Sequence, residues 1–470
     1  MITITIHQLK DGLRDSKFLF VALIVVLAFV MNGYIFAERY KLAVDDWNDS
    51  VADTSRMLET RAGNLQEIST YPQRMAKPPS VLAFIGESGE EKIPNRITVN
   101  GFMHRGSTLS NRGNEMYQLI PAVDWTFIVG TIMTLLALMI SFSTVCGEKR
   151  DGTLRQVLSY PLSRIKLLIG KYLGSLLVVT ITLVVGMAVS LNILYFSDAL
   201  PLGVRMVTAI GWTFAIALFY LSLILLAGMT VSSLVHRPAV SLVILMIFWL
   251  VCVFAVPGLA RLLGENIVSV PSELEVEKEV RAAAEEIWYN APKGAGSWSS
   301  EPEYLFTPEL RNRAMMVQQM LATRQRIRSS AEDARIRQAE TIQALTCISP
   351  TGLLGDALQR ISGTGVAGYR GFREMARRYQ QRLHSFTVEK DKNDPDTPHL
   401  VYSWGTGIDE GTFSTKPVSL SEFPRWHTMW AAGGLPQDQG WPVWQLLVLL
   451  ALNLQMMMIA FIALARYDPR

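Results

Sequence analysis

Long apolar runs dominate the pattern of this chain. A helix crossing the hydrocarbon of a bilayer needs roughly 20 largely apolar residues, because the core is about 30 Å thick and each residue rises about 1.5 Å. By that measure the pattern predicts about six spans, at residues 18–36, 125–146, 172–196, 207–234, 240–263 and 444–465. No Asp, Glu, Lys or Arg lies in the middle of any run, so each can face lipid or another helix without a desolvated charge. Arg261 sits only at the end of the fifth. Lys10, Arg14 and Lys17 precede the first run, as they would in a secretory signal. Its length and the poor cleavage site at Ile35, Phe36 and Ala37 favour a retained span.

Between the runs the hydrophobic period becomes helical. Before the first span, residues 6–13 have helical spacing and are expected to lie along the inner membrane surface, a loosely structured basic tail being the alternative. Beyond it, Trp47, Val51, Thr54, Leu58, Ala62 and Leu65 recur at threes and fours, predicting an amphipathic helix that leaves the membrane and ends by Pro72. The stretch from there to Pro121 carries mixed turn signals and no assignable element. In the second long insert, Val276, Val280, Ala283 and Ile287 mark one stripe, and Met316, Met320, Ile327, Ala331 and Ala334 mark another. Neither can bury its stripe alone, which predicts an antiparallel hairpin. Phe372, Met375, Tyr379 and Leu383 mark a further amphipathic helix, and residues 390–440 read as loop with short strands near Leu400 to Trp404.

Composition agrees with a membrane protein: half of the 470 residues are hydrophobic and 18% charged. Soluble domains carry about a quarter charged residues. The net charge of +3 says little; its placement says more. Lys10, Arg14, Lys17, Lys149, Arg150, Arg155, Arg164, Lys166, Arg237, Arg466 and Arg470 flank the spans on short segments, and such segments stay in the cytoplasm. Both termini are therefore expected inside and both long inserts outside. The predicted organisation is a first segment and span at 1–37, an outer segment at 38–124, four spans at 125–263 with a cytoplasmic segment at 148–164, an outer domain at 264–442, and a last span with its tail at 443–470. Of three cysteines only Cys347 lies outside the spans, which leaves no partner for an intrachain external disulfide.

The most informative segment is the run from Glu148 to Arg164. Leu154, Val157 and Leu158 share one face of a short helix among charges, Pro161 ends it, and Ser163 can cap the helix that follows. Two readings stand: a basic turn that fixes topology, or a docking helix whose apolar face fills a partner's groove. Three neighbouring stretches bear on the choice: Asp124 to Val129, Gly147 to Leu154 with Ser159 to Arg164, and Gly170 to Gly174. Together they resemble bacterial ABC type-2 exporter permeases, in the branch related to copper-enzyme maturation and gliding-motility permeases. In that family the matching segment is the coupling helix that contacts the ATPase. The resemblance therefore implies a coupling role for Glu148, Gly152, Thr153, Leu154, Val157, Leu158, Ser159, Pro161 and Arg164. A second, more limited resemblance links Ser349-Pro350 and Gly363 to Phe372 with the large extracytoplasmic part of one subgroup.

Absences point to the same division of labour. The sequence has no G-x-x-x-x-G-K-[ST] phosphate cradle, no H-E-x-x-H and no G-x-S-x-G. The paired carboxylates Glu273, Glu275, Glu285 and Glu286 read as a solvated helix face. Asp391, Asn393, Asp394 and Asp396 are spaced somewhat like a calcium loop, but Pro395 occupies a ligand position. Met456 to Met458 read as apolar filler. Within the last span Asn453 and Gln455 are polar, and an unpaired amide there will seek a neighbouring helix before a cargo. No buried carboxylate supports an ion-driven relay.

The expectation is an α-helical polytopic protein of the bacterial inner membrane with a mainly helical extracytoplasmic domain inserted before the last span. It would be the non-catalytic permease of an ATP-driven exporter. ATP and Mg would be bound by a separate cytoplasmic ATPase, and a second permease copy or a homologous permease would complete the assembly. Membrane lipids and an extracytoplasmic protein are further candidate partners; nucleic acid is not expected. The alternative is an ATP-independent membrane scaffold or receptor.

Overall fold

The computed structural model describes residues 2–14, 16–87, 93–102, 104–108, 123–159, 163–200, 203–297, 305–403, 411–433 and 440–465. Among them, six helical stretches are long and apolar enough to cross a membrane: Phe18–Arg61, Trp125–Arg150, Arg164–Phe196, Val204–Leu234, Pro238–Ile267 and Val443–Ala465. The α-helical polytopic fold follows from these spans, each of which contains one run of the sequence pattern.

The chain begins with α1 (Ile2–Arg14) and α2 (Ser16–Arg61). Thr5 and Gln8 of α1 lie against Gly174, and Gly12 of α1 lies against Val178. So α1 packs on a membrane helix, where the sequence placed it along the membrane surface. The second helix is one rod of 46 residues, about 69 Å at 1.5 Å per residue. It ends at the Ala62-Gly63 turn, earlier than Pro72, because Asn64 caps the following α3 (Leu65–Thr70) through the amides of Gln66 and Glu67. The unassigned stretch beyond holds an antiparallel sheet, β1 (Gln73–Ala76), β2 (Arg96–Val99) and β3 (His104–Thr108), in the order β1-β2-β3.

The second span is built from α4 (Trp125–Phe127), a π-helical stretch Ile128–Met133 and α5 (Thr134–Ser141). Asp124 caps it, accepting from the Phe127 amide at 2.7 Å. After it come the short α6 (Cys146–Arg150) and α7 (Thr153–Ser159), then the spans α8 (Arg164–Phe196) and α9 (Val204–Leu234). Ser163 caps α8 as its position predicts, accepting from the Lys166 amide at 3.3 Å. A Cβ on Gly186 of α8 would run into the Phe29 ring of α2, so glycine is what lets these two helices touch. The fifth span joins α10 (Pro238–Leu250), a π-helical stretch Val251–Ala255 and α11 (Val256–Ile267).

The large insert follows as α12 (Glu273–Tyr289), α13 (Pro308–Thr346), α14 (Pro350–Ser362), α15 (Gly365–Lys392) and α16 (Trp426–Gly433), before the last span α17 (Val443–Ala465). The expected hairpin is α12 against α13, with Val276, Val280, Ile327 and Ala331 buried between them. Arg335 to Glu273 at 2.7 Å and Arg328 to Glu277 at 2.9 Å flank that seam. The two inserts share a core: Leu58, Leu65, Ile68, Met75, Ile97 and Val99 pack with Phe372, Tyr379, Leu383, Phe423 and Trp426. Residues 400–403 are not a strand; Leu400 only donates its amide to the Thr412 carbonyl at 2.9 Å.

One helix of the insert leaves that core. Leu353, Leu354, Ala357 and Leu358 of α14 are buried with Phe29, Trp125, Leu136 and Tyr220 of the spans. Near the middle of α9, the Tyr220 hydroxyl meets Thr134 at 2.8 Å and Thr351 at 3.3 Å. The start of α14 thus reaches well down between the spans.

Candidate functional site

At the short-loop end of the bundle, α6 and α7 form a bent pair. Gly152 makes the bend at φ 74°, a left-handed conformation that suits glycine. The pair is fastened to its own chain at three places, and Arg164 at the start of α8 adds a tie to α17. Ser232 Oγ, on α9, accepts from the amides of Val145 and Cys146 at 3.0 and 3.1 Å. Lys149 donates to the Ser233 carbonyl. Lys171, on α8, is 5% exposed and meets Glu148 Oε2 at 2.6 Å while donating to the Thr144 carbonyl at 2.6 Å. Arg164 donates to the last carbonyls of α17, Ala465 at 2.6 Å and Leu464 at 3.2 Å, the usual place for a cation on a helix.

Leu154 corrects an expectation. It is 1% exposed and packs with Val145, Leu167, Leu168, Met229, Ala460 and Leu464. Its side chain fills a gap among helix ends of its own chain and does not face outward. Burying leucine contributes roughly 2–5 kcal/mol against alanine. Among the described residues of this segment, Gly152, Thr153, Gln156 and Ser159 are exposed. Pro161 and the side chains of Val157 and Leu158 lie outside the described residues. Asp151 is held below the usual carboxylate range by its hydrogen bond from Arg150, at 2.8 Å.

Sequence reasoning missed Lys171. It treated that residue only as the start of a span, yet a lysine preceding a long apolar run, 23 positions after a glutamate in the facing loop, is a pairing signal. Asn32, legible in the sequence as a polar residue inside the first span, donates through Nδ2 to the carbonyls of Val123 at 2.8 Å and Phe84 at 3.3 Å while its Oδ1 accepts from Ser190 at 3.2 Å. Asn453 does what an intramembrane amide was expected to do. It donates to the Phe219 carbonyl at 2.9 Å and accepts from Ser222 at 2.5 Å, and Ser222 meets the Tyr172 hydroxyl at 2.6 Å. Three spans are tied by that chain of bonds. Gln455, two residues on, is exposed on the outside of the bundle.

Among the described residues no group of three or more His, Cys, Asp or Glu side chains is placed to hold a metal ion. Asp391 accepts from Thr397 at 3.0 Å and from the Ser414 amide at 2.8 Å; Asp394 accepts from Ser414 at 2.6 Å and pairs with Lys416 at 2.8 Å. Their oxygens clasp a loop of the insert and are used up in doing so.

Comparison with known proteins settles the class. Residues 2–351 match the ABC-2 family transporter proteins, and residues 309–399 match a domain of unknown function, DUF3526. The first match covers most of the chain, and the chain belongs to the ABC-2 family. Two relatives are each called a probable ABC transporter permease protein NosY. The Pseudomonas aeruginosa protein is 34% identical over 76 residues, 16% of this chain and 28% of that protein. The Stutzerimonas stutzeri protein is 30% identical over 101 residues, 19% of this chain and 37% of that protein. The chain thus matches well under half the length of either relative. The family match and the six candidate spans together define a multi-pass protein of the ABC-2 transporter family.

Proposed function

We propose that this permease transmits the stroke of a separate ATPase across the bacterial inner membrane to its own extracytoplasmic domain, which then acts on a partner there. The observation that carries this reading is α2, unbroken from Ser16 to Arg61. Its first half packs with α8 through Phe29 and Gly186, and its far half holds Leu58 in the domain core and pairs Asp46 with Arg96 at 2.7 Å. A helix without a hinge carries displacement at one end to the other. The wedge of α14 between the spans is a second rigid link.

In this reading the short-loop end is cytoplasmic, as its basic residues require. The ATPase docks on the exposed residues Gly152, Thr153, Gln156 and Ser159, and the bonds to α8 and α9, with Leu154 packed against α17, pass its motion into the spans. ATP and Mg belong to that partner, and this chain is non-catalytic. A second copy, or a homologous permease, covers the bare flank of α10, where Val243, Ile247 and Phe254 are exposed.

The test is capture of the ATPase. Gln156→Trp and Ser159→Trp put bulk on an exposed face and leave Leu154 in place, so the chain should keep its thermal stability and lose the co-purifying ATPase. Undiminished capture with undiminished ATP turnover would remove the docking face and favour an ATP-independent scaffold. Export of an amphiphile is the second reading, favoured by a charged cavity where the domain meets the spans.

A further inference from the structure

That cavity, about 660 Å³, lies between α13, α14, α15 and the first turn of α17. We propose that it binds the ammonium-phosphate headgroup of a phosphatidylethanolamine-type lipid from the leaflet nearest the domain. Its volume is that of a small-molecule site, about 300–1,000 Å³. Its level is fixed by Trp444, which lines it and stands at the start of a span, and by the Trp212–Trp441 stack at 5.8 Å close by. Tryptophans gather at the membrane–water interface, where headgroups lie.

The lining selects the chemistry. Its charged side chains are Arg360, Arg370 and Arg378 against Glu340, Asp356 and Glu374, three of each sign and no net charge. A net anion gains no general attraction there, whereas a zwitterion finds both signs. Arg370, Glu374 and Arg378 recur four apart on one face of α15, so a cationic and an anionic partner stand side by side. The Arg370–Glu340 pair is largely exposed, at 59% and 36%, and such pairs are held weakly enough to part for a ligand. Arginine grips phosphate through two parallel hydrogen bonds.

The ammonium side is deeper. Asp356 is 5% exposed and held by Gln343 and Gln445, each at 2.6 Å, and by Arg360 at 3.0 Å. Gln445 is fully buried behind it and fixes the carboxylate that faces the cavity. A primary ammonium has three donors for such acceptors, and the quaternary ammonium of a choline lipid has none. One turn further into the span Leu447 is 59% exposed, an apolar track for the acyl chain.

This inference needs the spans and not the ATPase, so it stands or falls separately from the coupling reading. The full chain is stripped of lipid and offered equal phosphatidylethanolamine, phosphatidylcholine and phosphatidylglycerol, with retention read by native mass spectrometry. The ethanolamine lipid should be retained about tenfold over either competitor, the ratio of a ~1.4 kcal/mol difference. Glu340→Gln and Arg370→Gln, both at exposed positions, should each erase the preference. A benzophenone amino acid in place of Trp444 should crosslink the ethanolamine lipid. Equal retention of all three lipids, or an unchanged preference in both variants, would overturn the proposal. So would free phosphoethanolamine competing as well as the lipid, since the acyl chain would then contribute nothing.

Discussion

The Glu148–Lys171 pair makes an asymmetric prediction. Breaking a buried ion pair by removing one partner costs roughly 3–5 kcal/mol, because the other charge is left without compensation. The two partners here are unequally buried: the Lys171 side chain is 6% exposed and that of Glu148 is 32%. Lys171→Met strands a carboxylate that water can still reach, and the loss should fall to about 1–2 kcal/mol after solvent screening. Glu148→Gln strands an ammonium that keeps only the Thr144 carbonyl and one amide, and should cost about 3 kcal/mol. The reversed pair Glu148→Lys with Lys171→Glu should recover part of the loss. Thermal unfolding in detergent, followed by intrinsic tryptophan fluorescence, reads the order. ATP turnover by the complex with the ATPase should fall in the same order. If Lys171→Met proves as harmful as Glu148→Gln, or if neither changes stability or turnover, the pair does not hold the docking segment to α8.

Three further outcomes are expected. Asn453→Leu removes the acceptor for Ser222 and the donor to the Phe219 carbonyl, and should lower stability by roughly 0.5–2 kcal/mol, as denaturation in mixed micelles would measure. Asp394 is held down to about 2 by Lys416 and Ser414, so its clasp is complete above about pH 4 and is lost as pH falls through 2. Lys416→Met should raise that carboxyl toward its ordinary value and move the acid transition of the domain upward, visible by circular dichroism. Burial pushes the Cys347 thiol up to about 12, so maleimide should label it at pH 8 on the order of a thousandfold more slowly than an ordinary thiol. The rate should keep rising up to pH 11, where an ordinary cysteine has levelled off.

The spans were legible because each is a run of one kind of residue and lipid imposes one length. Helices on the domain were legible where a stripe was complete, as with Phe372, Tyr379 and Leu383, all fully buried. The site was read less well. Leu154 was recognised as apolar, but the residues it packs on are spread over α8, α9 and α17, and periodicity says nothing about contacts so far apart in sequence. Lys171 and Asn32 act through bonds to residues far off in the chain, which leave no pattern in a window. The sheet escaped for a related reason: β1 and β2 are four residues each, β1 does not alternate, and the alternation of β2 is too short to stand out. The wedge of α14 also has no local sign, since Leu353, Leu354, Ala357 and Leu358 would suit a soluble core equally well.

The coupling account is tested most directly by distances across the working complex. Spin labels at Leu19 and Glu59 report the length of α2, and labels at Gln156 and Glu59 report its position relative to the docking face; all three residues are exposed. With the ATPase bound and cycling between nucleotide-free and ATP-trapped states, the first distance should stay near ~60 Å, as forty residues of helix require, while the second shifts by several ångströms. Active hydrolysis with the Gln156–Glu59 distance unchanged, or a Leu19–Glu59 distance that collapses as α2 bends, would contradict the claim that this helix carries the stroke to the domain.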